Sequence, residues 1–283
     1  MNTVLRSRST DVVISSTGPF TVIGERINPS GRRLLAAEMK EGLLDRVRAD
    51  AMAQVRAGAQ VLDVNAGVPG ADEPALLAAA VRAVQEVVDV PICIDSSVVE
   101  ALEAALAVCQ GRPLVNSVTG EDERLDRILP LVREHGAAVI GIANDETGIS
   151  MVPEERLAIA ARIVDRAAGH GIPAEDVVID PIAMTVAAEP LAVVVTLRTM
   201  RLVRDELGVN MTCGASNVSF GLPDRPAANA AFLPLAMDAG LTSAITNPME
   251  PAVRQAVLAG DLLLGRDEYA MRWIADYRGR RGS

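Results

Sequence analysis

The sequence predicts an α/β protein, a (β/α)8 (TIM) barrel in a single domain. Short β-branched apolar runs recur eight times along the 283 residues, and longer segments with helical spacing of Ala, Leu, Arg and Glu lie between them. Several of those segments stop at a Gly just before the next run. No repeat, low-complexity tract or linker divides the chain, so eight βα units with short links favour a closed barrel over a doubly wound sheet.

Residues 1–20 are polar and mildly basic, without an apolar signal core, and read as a flexible or loosely packed N-terminal arm; the barrel takes residues 21–283. The Arg/Ser-rich, acid-free first ten residues carry a weak transit-peptide signal. The first strand is "FTVIGE" (20–25), followed by a helix over 38–57. "QVLDVNAG" (60–67), "PICIDS" (91–96) and "PLVNS" (113–117) follow, with helices over 73–88, 97–108 and 121–134. "AAVIGIA" (137–143) precedes a helix over 153–169, and "DVVIDP" (176–181) one over 189–207. "NMTCGASN" (210–217) leads to a helix over 225–239, and "LTSAIT" (241–246) to closing helices over 250–260 and 266–276.

Composition removes several function classes. The net charge is −10 and no basic face is visible, which argues against nucleic acid as a partner. No run reaches the length of a membrane span. Three cysteines, Cys93, Cys109 and Cys213, show no CxxC spacing, which fits a reduced, cytoplasmic setting without a zinc ribbon. The single lysine, Lys40, falls on a surface helix, so the inward lysine of a Schiff-base enzyme is missing.

In a (β/α)8 barrel the chemistry gathers at the C-terminal ends of the strands. Those ends carry Glu25 and Asn28, Asp63 and Asn65, Asp95, Asn116, Asn144 and Asp145, Asp180, Asn217 and Asn247. Any one of them reads as an ordinary strand-end or helix cap. Together they ring one mouth with carboxylates and amides. His135 and His170 each precede the Gly that ends a helix, which puts both at the opposite face in structural roles. Such a cup fits a neutral, planar, donor-rich heterocycle such as a pterin or purine.

The motifs "GERIN" (24–28), "LDVNAG" (62–67), "IDSS" (94–97), "VNS" (115–117), "HGAAVIGI" (135–142), "TGI" (147–149), "IDP" (179–181), "SNVSFGLPDR" (216–225) and "NAAFL" (229–233) occur in order from about residue 21 onward. In this set the chain resembles the methyltetrahydrofolate:corrinoid methyltransferases, pterin-binding (β/α)8 barrels whose wider group includes dihydropteroate synthase and the folate domain of cobalamin-dependent methionine synthase.

The resemblance implies an enzyme that moves the N5-methyl group between methyltetrahydrofolate and the cobalt of a corrinoid, by in-line displacement with a cobalt(I) nucleophile, in either direction. It places Asp95, Asn116 and Asp180 on the amino and ring-nitrogen edge of the pterin, Asp63 and Asn65 as further floor and wall contacts, and Arg225 on the pterin side. Glu25 and Ser216 join the pterin-binding set. Asn217 falls where an amide reaches N5, as the residue that assists the leaving nitrogen. The chain lacks the DxHxxG signature of a cobalamin domain, so the corrinoid is expected on a partner protein, and a homodimer is expected. "GASN" and "FGLPD" depart from the spellings of closer members near N5. The alternatives are a dihydropteroate synthase-like enzyme, whose late lysine and Ser-x-Arg-His element have no match here, and a non-catalytic pterin-binding module of a corrinoid assembly.

Overall fold

The computed structural model describes residues 1–281 and realises the expected alternation almost unit for unit. The chain runs β1 (Asn2–Arg6), β2 (Asp11–Ser15), β3 (Thr21–Ile27), α1 (Arg33–Lys40), α2 (Asp45–Arg56), β4 (Val61–Asn65), α3 (Glu73–Val87), β5 (Ile92–Asp95), α4 (Val99–Leu106), β6 (Leu114–Thr119) and α5 (Asp122–Glu134). It continues with β7 (Ala138–Ile142), α6 (Pro153–Gly169), β8 (Val177–Asp180), α7 (Ala192–Glu206), α8 (Arg225–Ala239), β9 (Ser243–Thr246), α9 (Pro251–Leu263) and α10 (Met271–Arg281). The helix expected over 38–57 is two, α1 and α2, broken at residues 41–44.

Seven parallel strands form one curled sheet in the order β8-β7-β6-β5-β4-β3-β9. The run 210–217, expected as a strand, forms single bridges instead: Met211 pairs with Ile179 of β8, and Gly214 with Ile245 of β9. Backbone bonds on both sides, Thr212 N to Ile179 O (3.0 Å) and Ile245 N to Cys213 O (2.9 Å), close the ring there. The run has no β-branched stretch to sustain pairing, and after Gly214 it winds into a 3-10 helix, Ala215–Ser219.

Strand alternation divides the core. One parity packs outward against the helices in the larger apolar cluster. The other points into the barrel, where Ile23, Val61, Cys93, Leu114, Ala138, Ile140 and Val178 pack together. Leu5 and Ile14 join this inner cluster, and both are fully buried. They belong to the first twenty residues, expected as a flexible or loosely packed arm. That segment is a hairpin in which β1 and β2 pair antiparallel, Val4 opposite Val13, so that one apolar face can be buried. Asn210 Nδ2 donates to Ile14 O (2.9 Å) and Thr3 Oγ1 (3.0 Å), and Arg112 Nη1 to Val4 O (2.9 Å), which fixes the hairpin across the N-terminal end of the barrel. His135 and His170 cap α5 and α6 at that same end. Among the described residues no helix is long and apolar enough to cross a membrane.

Candidate active site

The inward parity that packs the barrel carries on into polar residues at its open end. Two positions beyond Ile23, Val61, Cys93, Leu114 and Val178 stand Glu25, Asp63, Asp95, Asn116 and Asp180, and Asn65 follows Asp63. All these strands are parallel, so their ends open on one face. The register sets Asn65 beside Asp95 and Asp95 beside Asn116. Asn65 Nδ2 donates to Asp95 Oδ2 (3.0 Å), and Asn116 Nδ2 reaches down to Asp63 Oδ1 (3.1 Å). Asn65 Oδ1 in turn accepts from Gly67 N (2.9 Å).

This floor holds more carboxyl groups than donors, and burial sets their charge state. Asp63 is 2% exposed, and burial together with the neighbouring Asp95 charge pushes its carboxyl well above the ordinary range. Burial pushes Asp95 up to about 6, against the Asn65 hydrogen bond and with help from the Glu73 charge. Asp180 is pushed up by burial to about 7, opposed by the Ile182 N–H and by the charge of Arg156. Glu25 is also raised by burial, opposed first by the Ser216 hydroxyl and then by the charges of Arg26 and Arg225. A row of buried acceptors short of donors is complementary to a ligand edge that carries N–H groups.

Asn217 stands on the turn that follows the closing run between β8 and β9. It stands in the 3-10 helix rather than at a strand end, and its side chain is exposed. Gly214 makes this possible, since a Cβ there would come within 2.8 Å of Asn217 Nδ2. Arg225 braces the turn: Nη2 donates to Ser216 O (2.8 Å), Nε to Ser219 Oγ (3.1 Å), and the guanidinium lies 5.7 Å from the Phe220 ring centroid. Arg225 is thus occupied by the loop that carries Asn217.

Three other ring members serve as local caps. Asn28 Oδ1 accepts from Ser30 N (2.9 Å), Asp145 Oδ1 from Thr147 N (3.0 Å), and Asn247 Oδ1 from Met249 N (3.1 Å). Asn144 contributes its backbone carbonyl, which accepts from Gly120 N (2.8 Å).

Two further residues support the site without having been read from the sequence. Gln54, fully buried on α2, accepts from Arg26 N (2.8 Å), and a Cβ on Gly24 would fall 2.5 Å from its Oε1. That close approach explains the glycine of "GERIN". Arg156, also fully buried, lies on α6 in line with Ile159, Ala160 and Ile163. A charged residue inside an apolar stripe was its visible signal.

Residues 24–247 match the model of the family described as "Pterin binding enzyme". Methylcorrinoid:tetrahydrofolate methyltransferase of Eubacterium limosum is 31% identical over 263 residues, which cover 91% of this chain and 96% of that protein. Methionine synthase of Mycobacterium tuberculosis is 31% identical over 259 residues, 84% of this chain but 21% of that much longer protein. Among solved structures, dihydropteroate synthase of Xanthomonas albilineans with 4-aminobenzoic acid superimposes with a TM-score of 0.68 at 18% identity, covering 92% of this chain and 98% of that one. Dihydropteroate synthase from Thermus thermophilus gives 0.64 at 21% identity, covering 92% and 99%. At such identities the structural likeness speaks for the barrel alone. The sequence match carries more, and by it the chain belongs to the pterin binding enzyme family and, within it, to the group of the methylcorrinoid:tetrahydrofolate methyltransferase.

Proposed function

We propose that the protein transfers a methyl group between N5 of tetrahydrofolate and a corrinoid presented by a partner protein. The observation that carries the reading is the inward row of Asp63, Asn65, Asp95, Asn116 and Asp180 at one end of the barrel, with the exposed amide of Asn217 on the turn after the run that closes the ring between β8 and β9. The carboxylates and amides meet the amino-pyrimidinone edge of the pterin and fix its orientation, so that N5 lies toward Asn217. The name of the Eubacterium limosum relative supports tetrahydrofolate as the methyl acceptor, although one transition state serves both directions.

The corrinoid supplies the cobalt centre that takes or gives the methyl group. The residues fit its approach: Asn217 and Phe220 are exposed on the turn after the closing run, so the wall beside N5 is open to a broad planar face. The chain's own task is the nitrogen. When the carbon–nitrogen bond breaks, N5 gathers charge and must gain a hydrogen bond or a proton. Asn217 supplies a hydrogen bond that strengthens as the charge develops, which lowers the barrier rather than tightening ground-state binding. It has no proton to give near neutral pH. Glu25, beside the Ser216 hydroxyl and raised by burial, is the group on this wall suited to hold one.

The dihydropteroate synthase alternative gains nothing from the site, because Lys40 is exposed on α1 and both histidines lie at the far end of the barrel. A homodimer in the cytoplasm completes the proposal. Anaerobic ultraviolet–visible spectroscopy with methyltetrahydrofolate and cob(I)alamin tests the function: the cobalt(I) band should decay to methylcobalamin, and more slowly with Asn217→Ala. Folate binding with no methyl transfer, with free cob(I)alamin or any corrinoid protein, would point to the non-catalytic module.

A further inference from the structure

We propose that Arg156 is a positioning residue for Asp180: from the first turn of α6 it holds the backbone turn that aims the Asp180 carboxylate at the ligand. The inference rests on reading Asp180 as a pterin contact.

A fully buried guanidinium is costly unless its donors are used, and among the described residues no carboxylate comes within ion-pair distance of Arg156. Its partners are backbone carbonyls. Nε donates to Ser150 O (2.6 Å), and Nη1 to both Pro181 O (2.8 Å) and Ile182 O (2.9 Å). Nη2 lies against the sulfur of Met184 (3.5 Å). The Pro181 and Ile182 carbonyls belong to a turn that needs holding, because Ile182 is β-branched and sits at φ 66°. Thr196 Oγ1, buried on α7, donates to the same Ile182 carbonyl (2.8 Å).

Arg156 also holds the Pro181 carbonyl, and the N–H of that same Pro181–Ile182 peptide grips the functional group. Ile182 N donates to Asp180 Oδ1 (2.7 Å), and among the described residues no donor reaches Oδ2, which is left for a ligand. Arg156 therefore acts on Asp180 twice, through the turn and through its charge. The ionisable groups facing Asp180 are Arg156 from α6 and the Cys213 thiol from the closing run 210–214; only the arginine favours the ionised carboxylate. A merely structural residue at this place could be neutral. The positioning role requires the cation and the fork together.

The test compares Arg156→Met, which removes charge and donors, with Arg156→Lys, which keeps the charge and loses the fork. The Asp180 carboxyl is titrated by carbon-13 NMR in the ligand-free protein, its signal assigned by its loss in Asp180→Asn. Tetrahydrofolate affinity is measured by calorimetry across pH 6–9. Arg156→Met should raise the Asp180 midpoint by about one pH unit and weaken tetrahydrofolate binding about tenfold at pH 7, with the gap narrowing at higher pH. Arg156→Lys should leave the midpoint near that of the wild type and still weaken binding severalfold.

A folded Arg156→Met with an unchanged Asp180 midpoint overturns the proposal, whether or not folate binds. A raised midpoint in a protein that binds no tetrahydrofolate supports the positioning role and removes the folate reading instead. If Arg156→Met does not fold, Arg156→Lys decides: wild-type affinity at every pH overturns the proposal, and severalfold weaker binding supports it.

Discussion

At the scale of the residue, the proposed function separates groups that bind from the group that assists the bond to break. On the proposed reading Asp95 meets the pterin in the ground state, so Asp95→Ala should weaken folate binding with a smaller effect on turnover at saturation. On the same reading Asn217 acts as charge develops, and one hydrogen bond to a charged atom contributes about 1.5–3 kcal/mol, so Asn217→Ala should lower turnover about ten- to hundredfold at little change in Kd. Calorimetry beside single-turnover kinetics checks both. The buried carboxyls make a second prediction. Pterin N–H groups bond to ionised carboxylates, while Asp95 and Asp180 hold protons up to about 6 and about 7 in the free protein. Tetrahydrofolate affinity should therefore rise from pH 5 to about pH 7 and level off above it, by up to about tenfold per pH unit for each proton expelled. The same group sets a stability cost of the opposite sign. The folded protein holds the Asp180 proton more tightly than the unfolded chain, whose carboxyl titrates near 3.8. Its contribution is full below pH 4 and is lost as pH rises through about 7. Asp180→Asn should thus unfold at a higher temperature than the wild type at pH 8, by the equivalent of about 2–4 kcal/mol, with the difference gone near pH 4.

At the scale of the element, the 3-10 helix Ala215–Ser219 is where sequence and structure part most usefully. "NMTCGASN" reads as a strand because its neighbours are strands, yet Gly214 ends the pairing and lets the chain fold Asn217 back. Gly214→Ala tests this turn. Its Cβ would press on Asn217 Nδ2, the end of an exposed side chain, so the fold should tolerate the change within about 1 kcal/mol. Turnover should nevertheless fall toward that of Asn217→Ala, because the displaced amide no longer reaches N5. A Gly214→Ala enzyme with full turnover would detach Asn217 from the chemistry. The rest of the ring shows what periodicity can and cannot tell. The inward parity of β4, β5 and β6 follows from alternation alone, so Asp63, Asn65, Asp95 and Asn116 were legible as one row. Asn28, Asp145 and Asn247 share their residue types, their strand-end positions and even a side-chain bond to the backbone N–H two residues on, which Asn65 and Asp180 make as well. Neither strand-end position nor the local cap separates a structural turn from the row; the inward bonds of Asn65 to Asp95 and of Asn116 to Asp63 do. Arg156 shows in the sequence only as a charge inside an apolar stripe; its role is not legible there, since its partners Pro181 and Ile182 lie 25 and 26 residues away on another unit.

At the scale of the whole molecule, the barrel assigns stability to one end and chemistry to the other. The hairpin β1–β2 inserts Leu5 and Ile14 beneath the inner cluster, and Asn210 ties it to the run that closes the ring. Its signal was present in the alternation of "NTVLR" and "DVVIS", but a pair of strands outside the eight-unit pattern has no place in a barrel template, and its polar face resembles an arm. Leu5→Ala should leave a cavity at the N-terminal end and cost about 2–5 kcal/mol in urea unfolding. The polar row lies at the other end of the strands, with the Ile23, Val61 and Cys93 layer between, so the folded variant should keep tetrahydrofolate affinity and turnover within about twofold of the wild type. Equilibrium unfolding and kinetics on the same preparation separate the possibilities. A cost below about 0.5 kcal/mol would mean that the hairpin is not part of the barrel core. A large loss of turnover in the folded variant would mean that the packing of the barrel interior transmits to the carboxylate row, and that the two ends are one mechanical unit.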